Sequence, residues 1–198
     1  MQSGDHVSAL GRLAELLSGC GVPWVVGGST GLALRGAKLD RQPRDLDVYA
    51  DREAIPVLHE RLAAYAVDGP ADNETAIYRS VLSHYDLAGT VVELVGDFRI
   101  EASGSAYRTE VELSLYPHAD DTVAGNAHAK LVPLGHELIF NVLRNRMDRA
   151  QAVGGLIAAD PSKHLPVLRM LIERNRLSDE VVGSVLRLAQ GVNEEGRP

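Results

Sequence analysis

The residues best suited to chemistry are two aspartates, one glutamate and a glycine turn. Asp45 and Asp47 stand two apart in Asp45-Leu46-Asp47-Val48-Tyr49, a run that alternates polar and apolar. On a strand this spacing points both carboxylates to one side and sends Leu46 and Val48 to the other. Two carboxylates held that close repel each other unless a cation lies between them. Mg²⁺ is a hard ion that binds through one or two carboxylates plus substrate phosphates, so the pair predicts a metal–polyphosphate site. A solvent-facing pair on a surface strand is the competing reading, because the motif is short.

Gly27-Gly28-Ser29 follows the apolar run Trp24-Val25-Val26. Glycines let a backbone approach phosphate closely, and N–H groups at a helix start attract anions. A plain strand-to-helix turn capped by Ser29 is the alternative. Glu93 lies inside Thr90-Val91-Val92-Glu93-Leu94-Val95. An acid in such a run must be exposed, paired or bound to metal, since burying it bare is costly. A strand beside that of Asp45 brings Glu93 to the same cation, whereas an edge strand turns it to solvent. Asp97 is a second acid close by.

The basic candidates are Arg44, Lys130, Arg144 and Arg146, with Arg149 completing the last cluster. Arg44 precedes Asp45, so on a strand it points away from both aspartates and suits bracing the preceding loop. Lys130 precedes Leu131-Val132-Pro133 and suits reaching phosphate. Arginine forks suit phosphate, although cations near a helix C-terminus also answer the helix dipole. His84, on a strand near Glu93, is either a proton shuttle or a satisfied strand histidine. Cys20 ends an amphipathic stretch and is expected in the core. The seven histidines show no metal-ligand spacing, and neither G-x-G-x-x-G nor a P-loop is present.

These residues need elements to hold them. Leu10, Leu13 and Leu17 share a face at helical spacing, which predicts a helix over 7–20. Residues 24–26 form a buried strand, 29–35 a short helix, 36–44 a polar loop and 45–49 a strand. A second amphipathic helix covers 52–66, and 68–75 is a loop. Arms 78–87 and 90–95 make a hairpin through Ala88-Gly89. Extended chain is expected over 98–116 and 129–132. From Pro133 the character turns helical, with Leu134, Leu138, Val142 and Leu143 as a stripe, then helices over 149–159, 163–174 and 178–190. The tail from Val192 is expected to fray. The order predicts an α+β fold, a short mixed sheet backed by helices. Its α/β core spans residues 1–132, and a C-terminal helical region spans 133–198.

Composition narrows the class. The 198 residues are 45% hydrophobic and 24% charged, enough for a real core. A net charge of −7 argues against a broad nucleic-acid-coating surface. A single cysteine excludes an internal disulfide and suits a reducing compartment. Neither a signal-peptide pattern nor a membrane-length apolar run is present, so the cytoplasm is the expected location.

Taken in order, the strand followed by Gly27-Gly28-Ser29, then Arg44-Asp45-Leu46-Asp47-Val48, then Val92-Glu93-Leu94, resembles the DNA polymerase β-like nucleotidyltransferase superfamily. The likeness is to its small bacterial members: minimal, AbiEii-type and antibiotic nucleotidyltransferases. It covers about residues 20–100, and Pro133–Asp148 looks like the helix that follows the sheet in such proteins. The resemblance implies a nucleotidyltransferase fold in which Gly28 and Ser29, beside Gly27, meet the β- and γ-phosphates of a nucleoside triphosphate such as ATP. It implies that Asp45 and Asp47 bind the ions, two Mg²⁺ or possible Mn²⁺, and that Glu93 holds the catalytic ion and helps activate an acceptor hydroxyl. The product would be a nucleotidylated small molecule, protein side chain or RNA end, with pyrophosphate released. The alternative is a catalytically silent nucleotide- or partner-binding member, such as half of a toxin–antitoxin pair.

Overall fold

The computed structural model describes residues 3–192. Its helices are α1 (Ser3–Leu16), α2 (Gly28–Leu34), α3 (Ile55–Leu62), α4 (Leu134–Leu143), α5 (Met147–Ala159), α6 (Pro161–Arg174) and α7 (Asp179–Ala189). Its strands are β1 (Val25–Gly27), β2 (Asp45–Ala50), β3 (Ala71–Glu74), β4 (Tyr78–Leu87), β5 (Thr90–Ala102), β6 (Ser105–Arg108), β7 (Asp120–Ala124) and β8 (Ala127–Leu131). They form one mixed sheet in the order β3-β4-β5-β2-β1-β8-β7, with β6 on the outer part of β5. The β2–β5 and β1–β8 pairs are parallel; the other pairs are antiparallel. This is the expected α+β architecture.

Strand alternation divides the core. Leu46, Val48, Val92 and Leu94 face α1 and α3, while Val25, Tyr49, Val95 and Phe98 join the cluster that α4–α7 complete. Leu46 and Val48 are fully buried; each contributes about 1.5–3 kcal/mol relative to exposure. That burial locks the register of β2, because a one-residue slip would exchange these side chains for Asp45 and Asp47.

Several boundaries differ from expectation. The first helix ends at Leu16, four residues early, where a turn leads to Gly19 at φ 64°. The expected 52–66 helix is α only over 55–62, with a 3₁₀ turn at each end. The expected 68–75 loop contains β3, fully exposed, so it lacks the apolar alternation that marks a strand; it is held by backbone pairing to β4. The expected extended run 98–116 breaks after Arg108. Helical turns fill 111–118, where the Asp51 carboxylate accepts from the N–H groups of Val111 (2.9 Å) and Glu112 (2.8 Å). Strand β7 is absent from the sequence reading. Cys20, expected in the core, is half-buried at its edge: it packs against the cluster under α1 and donates its thiol to the Val22 carbonyl. The expectation for the tail beyond Val192 lies outside the described residues. Among the described residues, no helix is long and apolar enough to cross a membrane.

Candidate active site

The sheet register assembles the acids. Asp47 pairs with Glu93 and Asp45 with Val91 across β2 and β5. On the far side of β5, His84 pairs with Glu93 and Asp86 with Val91. Paired residues share a face, and neighbouring strands lie about 4.8 Å apart. Two rows therefore cross the sheet: Asp47–Glu93–His84 and Asp45–Val91–Asp86. The strand pairing that the sequence alone does not disclose is what carries Glu93 to the aspartates. Asp97, the rival acid, is engaged elsewhere by Arg52, Arg99 and Arg108 at 3.5, 3.1 and 3.2 Å. His84 is fixed by Asp68, whose carboxylate meets its Nδ1 at 2.7 Å and accepts from its backbone N–H at 2.6 Å.

The glycine turn lies against Asp47. Gly28 has φ 63°, and a Cβ there would run into Asp47 Oδ2. Glycine is thus required both by conformation and by contact. Thr30 Oγ1 donates to the Asp45 carbonyl at 2.7 Å, which ties α2 to β2. One expectation about the turn is corrected. The N-cap of α2 is Gly27, with no side-chain cap, so Ser29 sits within the first turn and does not cap it. The Gly28 N–H is already taken: it donates to Glu137 Oε1 at 2.6 Å.

Glu137 is the acid that sequence reasoning missed. It is 1% exposed on α4, and Asn141 Nδ2 donates to its Oε2 at 3.3 Å. Its neighbour His136 is fully buried, with burial lowering its pKa to about 3, and meets the Tyr107 hydroxyl at 2.9 Å. Tyr49 follows Asp47 on the same face and stands edge-on to His136.

Beside Asp45 opens a cavity of about 490 Å³. Ser29, Arg44 and Asp45 line it from the sheet side, Lys38 and Arg41 from the loop, and Arg146 and Arg149 from the start of α5. Arg44 therefore faces the cavity and does more than brace the loop. Arg146 is held by a two-pronged bond to Asp148, at 3.0 and 2.7 Å. Arg144 lies over the Phe140 ring at 4.7 Å, outside the lining. Lys130 is not brought to the site: its ammonium meets Asp121 at 2.9 Å and the face of Tyr116 at 5.3 Å. Lys38 and Arg41 went unnamed because a polar loop does not disclose where its side chains point. A larger hollow of about 750 Å³ near Trp24 and Tyr116 holds one acid, Glu15, and no lysine or arginine.

The cavity is rich in cations, although Asp40 and Asp148 line it as well, and the acids gather on the sheet face beside it. Burial, then Asp45, Glu93 and Glu137, raise the pKa of Asp47 to about 7, against the pull of Arg144. Burial and then Asp45 raise that of Glu93. Burial, Arg146 and Arg144 lower that of Arg149. The acids crowd as though awaiting a cation, and the arginines crowd as though awaiting an anion. Among the described residues, no three His, Cys, Asp or Glu side chains close round a single point. An ion that keeps waters and phosphate oxygens as ligands needs only one or two carboxylates, and the oxygen-only donors of Asp45, Asp47 and Glu93 fit it.

Comparison with known proteins places the fold and the family. A candidate nucleotidyltransferase from Thermotoga maritima superposes with a TM-score of 0.63, at 20% identity over 77% of this chain and 92% of that one. ANT(2'')-Ia, solved in complex with adenylyl-2''-tobramycin, gives 0.49 at 13% identity over 93% and 97%. The lincosamide antibiotic adenylyltransferase LnuA, lincomycin-bound, gives 0.45 at 11% over 73% and 94%. No curated protein matches the sequence. The profile of the aminoglycoside-2''-adenylyltransferases matches residues 9–119, a span that takes in the glycine turn, both aspartates and Glu93. With more than half its length matched and the fold in agreement, the chain belongs to the aminoglycoside-2''-adenylyltransferase family, within the nucleotidyltransferase superfamily.

Proposed function

We propose that this chain moves a nucleoside monophosphate from a Mg²⁺-bound nucleoside triphosphate to a hydroxyl of a small acceptor, releasing pyrophosphate. One observation carries the reading: a cavity whose lining includes Lys38, Arg41, Arg44, Arg146 and Arg149 reaches Asp45, and Asp47 and Glu93 stand in the next row of the same sheet face. A triphosphate tail in the cavity matches the cations, and its α-phosphate then lies toward the acids.

Asp45 and Asp47 would hold the divalent ions, with Glu93 completing the set. When bound, such ions neutralise phosphate charge and lower the pKa of an attacking hydroxyl. Ser29 and the cavity arginines would grip the β- and γ-phosphates and so fix the α-phosphorus in line. The acceptor oxygen forms a bond to that phosphorus as the bond to the bridging α–β oxygen breaks. The hydroxyl proton passes to the Glu93 carboxylate, whose raised pKa suits receiving it. The exposed acids Asp68 and Asp86 flank His84 and Val91 on the same face. That acidic surround favours an acceptor bearing amines, and the family name makes aminoglycosides the first to try.

The test incubates the protein with Mg²⁺, each labelled triphosphate and a panel of aminoglycosides and other hydroxylated small molecules, then weighs the products. An acceptor heavier by one nucleoside monophosphate, lost with EDTA and with Asp47→Ala, is the expected result. If no triphosphate binds in the presence of Mg²⁺, and Asp47→Ala behaves as wild type, the proposal is wrong.

A further inference from the structure

Under the glycine turn lies a group that the proposed reaction does not use. The Glu137 carboxylate is buried on α4, with Gly28 N–H on one oxygen and Asn141 Nδ2 on the other. A Cβ on Gly27 would come within 2.9 Å of Glu137 Oε1, so the acid packs directly beneath the turn. Among the described residues no lysine, arginine or histidine forms an ion pair with it. Burying a carboxylate without a cationic partner is unfavourable, and its hydrogen bonds offset that cost only in part. Stability of the core therefore does not account for an acid here. What the acid does provide is a strong acceptor aimed at one backbone N–H.

That N–H belongs to Gly28, whose left-handed backbone sets both sides of the site. On one side the Asp47 carboxylate rests against its Cα, and on the other Ser29 enters the cavity.

We infer that Glu137 is a positioning residue: by accepting the Gly28 N–H it holds the Gly27–Gly28 turn so that Ser29 and Asp47 stand ready for the triphosphate and its ion. The inference rests on the nucleotide reading for its consequence and on the hydrogen bond alone for its cause. It also gives the C-terminal helices a part in the site, because α4 carries the anchor.

Glu137→Met keeps the bulk and removes the acceptor; Glu137→Gln keeps an acceptor oxygen. In the Gln variant Oε1 can still face the Gly28 N–H, and Asn141 Nδ2 keeps its shorter bond, to the backbone carbonyl of residue 137 at 2.8 Å. Two readouts are taken on the full-length protein: exchange of the Gly28 amide by NMR, and the Kd of a non-hydrolysable ATP analogue with Mg²⁺ by calorimetry. Glu137→Met should melt no lower than wild type, yet its Gly28 amide should exchange about a hundredfold faster and its Kd rise about tenfold. Glu137→Gln should stay within about threefold of wild type on both. A merely structural role would lower the melting temperature in step with affinity. Unchanged exchange and Kd in Glu137→Met would overturn the inference. So would a Gln variant as impaired as the Met one, which would assign the effect to charge. If wild type binds no analogue, the nucleotide reading fails by itself, and the exchange data still decide whether Glu137 holds the turn.

Discussion

Asp47→Asn puts the electrostatics of the site to a direct test. The fold raises the pKa of this carboxyl from 3.8 to about 7, so the folded chain favours its protonated form. Below about pH 4 folded and unfolded chains both hold the proton, and the site costs nothing. As pH rises from about 4 to about 7, the unfolded chain releases the proton while the folded chain keeps it, so stability falls; above about pH 7 the loss is complete. A rise from 3.8 to about 7 sets a ceiling of about 4 kcal/mol on the destabilisation. Asp47 is half-buried, and water at its exposed edge reduces the cost to about 2–4 kcal/mol. Asparagine keeps the shape without the charge. In EDTA, urea unfolding should find Asp47→Asn more stable than wild type by about 2–4 kcal/mol near pH 8 and by less than about 1 kcal/mol near pH 4. Mg²⁺ at the higher pH should stabilise wild type and leave the variant nearly unmoved. A stability difference that stays flat across this range would show that the crowded acids do not repel as described.

Four further perturbations separate the parts of the site. Glu93→Gln should lower kcat by about a hundredfold or more in steady-state assays while the KM for triphosphate stays within about threefold, because Glu93 serves the ion and the proton at the acceptor oxygen and does not line the cavity that takes the phosphates. Arg149→Ala should weaken triphosphate binding about tenfold, or about 1.4 kcal/mol, in a titration whose loss shrinks as salt rises. Lys130→Ala, already paired with Asp121, should bind as wild type in the same titration. Gly28→Ala should cost about 1–3 kcal/mol in chemical unfolding from the forced positive φ alone. It should also abolish transfer, since the new methyl meets the Asp47 carboxylate.

What was legible in the sequence follows from the range of each signal. Alternation along β2 disclosed which side Asp45 and Asp47 take, because the strand period is local and Leu46 and Val48 must be buried. The apolar run around Glu93 disclosed a strand but not its neighbour. Parallel pairing of β2 with β5 joins residues nearly fifty apart and leaves no mark in either segment. Strand β3 escaped notice because all four of its residues are exposed, so it shows no apolar period. Lys130 looked like a phosphate ligand only while its partner on β7 was unknown.

Glu137 is the instructive omission, because its signal was present and of a kind already applied to Glu93. It stands in Leu134-Gly135-His136-Glu137-Leu138-Ile139-Phe140, and nine of the ten residues of α4 are buried. An acid in a helix buried on nearly every side needs a partner. The stripe of Leu134, Leu138, Val142 and Leu143 marks only one face of the helix and says nothing of where its polar residues go. Solvent does not reach them: His136, Glu137 and Asn141 are all buried, and each finds its partner within the core or under the glycine turn. The helix that seemed only to follow the sheet thus supplies the floor of the site. A truncation before Pro133 would therefore remove not just a helical appendage but the acceptor that holds Gly28.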